Sequence, residues 1–360
     1  MSSPSYNRGE WAELYVLAKI LCDQILEVRA HGIVEPIRSL SIRRVRRGIE
    51  TDSEAYSIDG DNIICEHTSK KVQRVDICRL VPAFLKAIKN GNKISFTLSE
   101  GDEILRILDI PQLKRGSGLK SDIYLDVVDP LTGTTGLQGY TIKALIGSKP
   151  TLFNASEPTN LTYQIDPPLS QADIEIYNKR NAKGKLTYGI RDAVANILAT
   201  GHAMNLIRMD SRFKGNLELL DSKMPDFVSE VVLAFYSRKA GKATSIKKTV
   251  EILCDSNPLE VSHPAFWYAH KIKDLLEAST YGMVPTEPYN GERTVAGGLL
   301  LVEKSGGLIC FRLDDKDKTR DYLMEHTYFE TASRDKHNFG VIQQNDNETF
   351  MKLNLQIRYK

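Results

Sequence analysis

The 360-residue chain lacks any apolar run near the ~18 residues that a membrane span needs. Its opening residues, MSSPSYNRGEW, contain no apolar stretch of signal-peptide type. A cytoplasmic protein with no membrane partner is therefore expected. Cysteine is scarce. Cys22, Cys65, Cys78, Cys254 and Cys310 are five in number, and none shows C-x-x-C spacing. That argues against a disulfide framework and against a Cys-rich zinc site, so the thiols are read as reduced and mostly buried. Excess charge of either sign is missing too, with 48 Lys and Arg against 46 Asp and Glu, a net of +2. A polyanion would have to be held by local patches, because the molecule as a whole carries no strong field. The seven histidines form no H-E-x-x-H, and His263 and His270 have no evident third ligand, so they are read as structural. No G-x-G-x-x-G opens a helix, and no internal repeat is visible.

What is present is an interleaving of helices and strands, which predicts a mixed α/β fold. In GEWAELYVLAKILCDQIL, Trp11, Leu14, Tyr15, Leu17, Ala18 and Leu21 recur at helical spacing, and the helix should begin near Asn7. Residues 79–90 also read as a helix. A Gly- and Lys-rich loop, QLKRGSGLK, leads into the alternating strand SDIYLDVVD. PLTGTTG makes a turn, and LQGYTIKALIG returns as a second strand. Residues 168–207, 215–238 and 262–280 look mainly helical, with Phe266, Trp267 and Tyr268 read as core. TVAGGLLLVEKSGGLICFRL reads as a hairpin, and TFMKLNLQIRYK as a final strand.

The chemistry lies in the first hairpin. Asp122 opens one strand and Lys143 lies on the other, and antiparallel pairing can bring two such side chains to one face. A carboxylate beside a lysine suits phosphodiester hydrolysis. The carboxylate holds a hard divalent cation, the cation neutralises the phosphate and activates water, and the ammonium stabilises developing charge. The plainer reading is a surface ion pair. Asp126 shares the strand face and competes for the metal role, whereas Asp129 is placed to start the turn. A nuclease of this kind needs a second acid, usually two residues before the lysine, where Thr141 stands. The backbone carbonyl of Ile142, or an acid from elsewhere, must then contribute. Glu13 and Glu10 are the candidates, three apart on one face of the first helix.

Five blocks together resemble the HpaII-type restriction endonucleases. They are NRGEWAELYVLAKIL, then SDIYLDVVD with GYTIKALIGSKPTLFNASEPTN, then NLELLDSKMPDFVSEVVLAFY, then YGMVPTEPYNGERTVAGG, and finally YFETASRDKHNFG with MKLNLQIRYK. They run in order from about residue 7 to residue 360. The resemblance implies the PD-(D/E)XK superfamily, a mixed β-sheet flanked by helices, and Mg²⁺-dependent DNA cleavage that leaves 5′-phosphate ends. It implies a short GC-rich palindrome, CCGG in the family's namesake, as target. It places the motif aspartate on Asp122, the motif lysine on Lys143 and the motif acid on Thr141. It also makes Glu13 the helix glutamate, with Glu10 second. Ala144 stands where the family would carry a small polar residue.

Reading bases needs contacts to base edges as well as phosphates. Ser148, Lys149, Thr151, Asn154, Ser156 and Asn160 form a polar loop just after the catalytic strand. In the final strand, Lys352, Asn354, Gln356 and Arg358 share one face, opposite Leu353, Leu355, Ile357 and Tyr359. Arg334 and Lys336 add charge upstream, and Arg334 is the residue singled out for guanine. Of the basic runs, the one carrying Lys114, Arg115 and Lys120 stands nearest Asp122. Arg43, Arg44, Arg46 and Arg47 form a second, and Arg238 to Lys248 a third. The expected organisation is a catalytic half over residues 1–165 and a helical and β region over 166–360 that contributes DNA recognition. Double-stranded DNA is the expected partner, and a palindromic site suits a homodimer. The competing reading is a sequence-specific DNA-binding protein that has lost cleavage, motivated by Thr141 and Ala144.

Overall fold

The computed structural model describes residues 4–29, 36–48, 50, 53–113, 121–147, 149–237, 245–292, 295–312 and 316–360. The chain divides into two units, one of Met1–Pro150 with Arg293–Thr319 and one of Thr151–Glu292 with Arg320–Lys360. Neither is continuous in sequence.

The first unit is built around α1 (Arg8–Asp23). Asn7 caps it, accepting from Glu10 N at 3.0 Å, while Glu10 Oε2 accepts from Asn7 N at 2.7 Å. This reciprocal pair satisfies two backbone donors that the first turn leaves open. Gln24, in the left-handed region at φ 59°, ends the helix. α1 is buried on most of its circumference, so its packing rather than its intrinsic propensity keeps it helical. Trp11 Nε1 donates to Phe96 O at 3.0 Å, and Tyr15 OH donates to Gly306 O at 2.8 Å. Each buried aromatic thus has a partner for its polar tip.

Around α1 run β1 (Ile25–Val28), β2 (Arg38–Arg46), β3 (Ala55–Asp59), β4 (Asn62–Cys65) and β5 (Lys70–Gln73). Helices α2 (Val81–Asn90) and α3 (Ser99–Ile107) follow. The predicted hairpin is β6 (Ile123–Val128) and β7 (Thr135–Ala144). The later hairpin is β8 (Gly298–Val302) and β9 (Leu308–Arg312). The nine strands are ordered β1-β9-β8-β7-β6-β2-β3-β4-β5, and β1 also pairs with β2, so the first six close into a ring. β8 lies parallel to β7, with Leu301 beside Lys143, and β9 is parallel to β1 through Cys310 and Val28. The other pairings are antiparallel, which makes this a mixed sheet flanked by helices, consistent with a restriction-endonuclease-like fold.

One cysteine expectation is corrected. Cys22, near the end of α1, is joined to Cys78 in the short helix Arg74–Cys78. Packing of these two helices brings the Cα atoms to 5.3 Å, within bridging range. Cys65, Cys254 and Cys310 take no part in a disulfide.

The second unit carries two smaller sheets. One has Ala203–Arg208, Asn160–Asp166, Glu348–Asn354 and Ile342–Asn345 side by side, all antiparallel. The other has Thr151–Phe153, Ile357–Tyr359 and Thr327–Phe329. Helices Met224–Tyr236, Ile246–Ser256 and Pro264–Tyr281 belong to the same unit. Three expectations change here. The stretch 168–207 is helical only at Gln171–Asn178 and Ile190–Ala199, because Gly201, at φ 90°, turns the chain into the strand Ala203–Arg208. The final strand is broken after Asn354, and its last part joins the other sheet. Phe266 is 81% exposed rather than core, while Tyr268 is buried. Among the described residues, no helix is long and apolar enough to cross a membrane.

Candidate active site

The hairpin register sets the site. Asp122 N donates to Tyr140 O at 2.8 Å, and Ile123 pairs with Tyr140, so Thr141 stands opposite Asp122. Gly139 permits this approach, since a Cβ there would lie 2.4 Å from Ser121 Oγ. Asp122 Oδ2 then accepts from Ile142 N at 2.6 Å and from Thr141 Oγ1 at 3.1 Å. Among the described residues, Asp122 Oδ1 accepts no hydrogen bond. Ile142 directs its N–H toward the β6 side, and a strand residue's C=O faces the same way. That carbonyl lies beyond the first residue of β6.

α1 brings Glu13 to this place. Burial pushes its carboxyl up to about 8, helped by the charge of Asp122 and, less, by Glu10. Arg47 and Lys143 oppose the shift. Glu13 is thus coupled through charge to Asp122 and Lys143, and all three side chains are half-buried. Among the described residues, neither the Glu13 carboxyl nor the Lys143 ammonium makes a hydrogen bond or ion pair. Holding ionisable groups half-buried with no hydrogen-bond partner is costly, and such costs concentrate at functional sites. Glu10 differs, because its carboxylate closes the capping box on Asn7. The rival Asp126 is also engaged, with Arg43 at 3.3 Å where the register of β2 and β6 shifts. Asp129, fully buried, accepts from Leu131 N at 3.0 Å and pairs with Arg38 at 3.0 Å, so it builds the turn as expected.

These donors suit a hard divalent cation. Two carboxyls and a backbone carbonyl offer oxygen alone, and Mg²⁺ commonly keeps waters in its remaining positions. Among the described residues, no group of three or more His, Cys, Asp and Glu side chains gathers to hold a metal, so the carbonyl and water are needed to complete such a set.

Arg47 belongs to the second basic run, and its role is structural. It is buried, and its guanidinium donates to Gln112 O at 3.3 Å and Leu113 O at 3.1 Å and pairs with Glu54 at 3.3 Å. Leu113 N donates in turn to Tyr6 OH at 3.2 Å. This pins the chain just before the Gly- and Lys-rich loop. Arg44 pairs with Glu66, and Arg46 donates to Glu50 O at 2.6 Å, so this run is largely committed within the protein.

Of the residues expected at DNA, Lys120 and Ser148 lie outside the described residues, as do Lys114 and Arg115. Lys149, in the first unit, is exposed. In the second unit Asn154 and Lys336 are exposed, and Thr151, Ser156 and Gln356 are half-buried. Arg358 pairs with Glu330 at 2.8 Å. Three residues turn inward, contrary to expectation. Arg334 donates to Tyr188 O at 2.8 Å and also to Gly340 O. Asn160 donates to His337 O at 2.8 Å. Asn354, 1% exposed, donates to Ser156 O at 3.0 Å, Thr159 Oγ1 at 3.0 Å and Asn160 Oδ1 at 2.7 Å. Alternation along a strand predicts which side a residue occupies, and the neighbouring turn then covered Asn354 on the side expected to face DNA.

A helix glutamate, an aspartate just ahead of one strand and a lysine on its hairpin partner thus lie on a mixed sheet with flanking helices, consistent with a restriction-endonuclease-like fold. A sequence profile of the HpaII restriction endonuclease family matches residues 7–359. The chain is 34% identical to the type II restriction enzyme HpaII of Haemophilus parainfluenzae over 367 aligned positions, covering 99% of this chain and 98% of that protein. The chain belongs to the HpaII restriction endonuclease family and is a type II site-specific deoxyribonuclease. No solved structure matches it.

Proposed function

We propose that the protein cuts both strands of DNA at CCGG, with Mg²⁺ as cofactor, and leaves 5′-phosphate ends. The observation that carries this reading is the convergence of Glu13, Asp122 and Lys143, none of which is fully committed within the described protein. Asp122, Glu13 and the Ile142 carbonyl would hold the cation. Bound there, Mg²⁺ supplies charge neutralisation at the phosphate and activation of water. Lys143 places a positive charge where the departing and attacking oxygens gain negative charge. Asp122 is oriented by two donors from β7 before substrate arrives, so little reorganisation is left for the reaction. Glu13 must give up its proton to act as a ligand, and Lys143 and Arg47 favour that ionisation.

Family membership supports the CCGG target. Base contacts are proposed for the outward polar groups Asn154, Gln356 and Lys336, with Lys149, Thr151, Ser156 and Arg358 beside bases or phosphates. A palindrome supports a homodimer as the acting form, and the substrate supports a cytoplasmic place of action. The test is digestion of a plasmid of known sequence with Mg²⁺, followed by sequencing of the fragment ends. Discrete ends within CCGG, lost in Lys143→Ala, are expected. Ends elsewhere would replace the target. Selective duplex binding with no cutting under any divalent metal would replace the enzyme by a binding protein.

A further inference from the structure

We infer that Thr141 is a positioning residue for Asp122, which holds one carboxylate oxygen in place and leaves the other for the divalent cation. The inference rests on the proposed metal role of Asp122 and deepens it. In the superfamily pattern this position carries an acid, so the simple reading of Thr141 is a lost ligand. The geometry points elsewhere. Thr141 is 1% exposed, and its hydroxyl donates to Asp122 Oδ2 at 3.1 Å. Ile142 N donates to the same oxygen at 2.6 Å. Both donors come from consecutive residues of β7, and both reach a residue just ahead of β6. The terminal torsion of an aspartate is broad and roughly two-fold, so one donor alone leaves the plane of the carboxylate free to swing. Two donors from different directions fix it. Hydrogen bonds to an ionised acceptor are also the stronger kind. Oδ1 accepts nothing among the described residues, and it is the oxygen left for a cation. A second acid from β7 is then unnecessary, because Glu13 arrives from α1 instead.

The test compares Thr141→Val, which keeps the shape and removes the hydroxyl, with Thr141→Ser, which keeps the hydroxyl. Asp122→Ala is the reference for loss of the site. Mn²⁺ binding to the full chain is measured by electron paramagnetic resonance, and the Mg²⁺ concentration giving half-maximal cleavage is measured on plasmid. T141V should weaken Mn²⁺ binding and raise the half-maximal Mg²⁺ concentration by about tenfold, the usual cost of losing a group that orients a ligand. T141S should stay close to the native protein in both. A thermal melt accompanies each variant. If T141V melts early, Thr141→Ala carries the same comparison, since it also lacks the hydroxyl. A T141V protein that binds Mn²⁺ and responds to Mg²⁺ as the native one does, while D122A does not, overturns the inference and leaves the proposed centre standing. If D122A itself binds Mn²⁺ and cuts normally, the centre is misplaced and the role of Thr141 falls with it.

Discussion

The charge of Asp122, just ahead of β6, acts on Glu13 of α1, and the two carboxyls are held in different ways. Two donors from β7 orient Asp122, whereas Glu13 has no such partner among the described residues, and its carboxyl is pushed up to about 8 by burial and then by the Asp122 charge. A carboxyl in that state is ready to exchange its proton for a cation. Mn²⁺ affinity should therefore rise with pH, by about tenfold per pH unit for one released proton. The rise should flatten above about 8, where Glu13 is already ionised. Calorimetric titrations between pH 6 and 9 check this. An affinity independent of pH would remove Glu13 from the ligand set.

The same shift sets a stability trend in the metal-free protein. The folded state holds the Glu13 proton more tightly than the unfolded chain, whose value is near 4.5. The stabilising contribution is full below 4.5 and is lost as pH rises through about 8. Glu13→Gln carries no titrating group, so its melting temperature in EDTA should gain on the native protein across that window and level off above it. Melts at pH 5, 7 and 9 measure the difference. The same variant should cut DNA poorly, because a neutral amide is a weaker ligand than a carboxylate. A site that lowers stability in return for function is a common pattern.

Glu10 and Glu13 lie three apart on one helix and should separate cleanly under mutation. Glu10 bonds Asn7 N at 2.7 Å. Glu10→Ala removes half of the capping box and should lower stability by about 1 kcal/mol, the usual scale of an N-terminal cap. Its cleavage rate at saturating Mg²⁺ should remain near native. Denaturant melts and plasmid cutting on the same preparation make the comparison. A collapse of activity in this variant with intact folding would make Glu10 a ligand.

Lys143→Ala should lower kcat by about 10²- to 10³-fold, the scale of losing one preorganised charge-stabilising donor. Binding to a CCGG duplex in EDTA should change little, since the ammonium is proposed to act in the transition state. Gel retardation and single-turnover cleavage separate the two quantities.

The N-terminal helix and the Asp122 hairpin were legible because their signals are local. Asn7 ahead of the Trp11 to Leu21 stripe marks a helix start, and the Thr- and Gly-rich turn marks a hairpin. The placement of Thr141 opposite Asp122 follows from the exact register of the hairpin, which the turn residues alone do not fix. Long-range pairings leave no such trace. Nothing in YTIKAL announces that Gly298–Val302 lies parallel beside it. Periodicity tells which side of α1 is buried, but the meeting of Glu13 with Asp122 depends on how that helix sits against β7. The fate of Asn354 was hidden for a related reason. Its position in the strand was clear, but the turn Ser156–Asn160 that covers it comes from a distant part of the sequence.

Asn354 and Gln356 are two residues apart and should respond in opposite ways. The buried amide of Asn354 ties the strand to the Ser156–Asn160 turn, and Tyr236 OH donates to its carbonyl at 3.0 Å. Asn354→Leu abandons the partners of that amide inside the protein, so it should cost stability on the order of 1–3 kcal/mol, as unsatisfied buried groups do. Gln356 sits at the break between two strands, where Glu330 N donates to its carbonyl at 3.1 Å and its side chain is half-buried. Gln356→Ala should fold with near-native stability. If its amide meets a base edge, the variant should lose about 1–3 kcal/mol of discrimination between CCGG and duplexes altered by one base pair. Competition binding against the single-base variants reads this directly. Unchanged discrimination in Q356A would shift the base contact to Asn154 or Lys336, whereas a marked loss of stability would make Gln356 a structural residue like its neighbour.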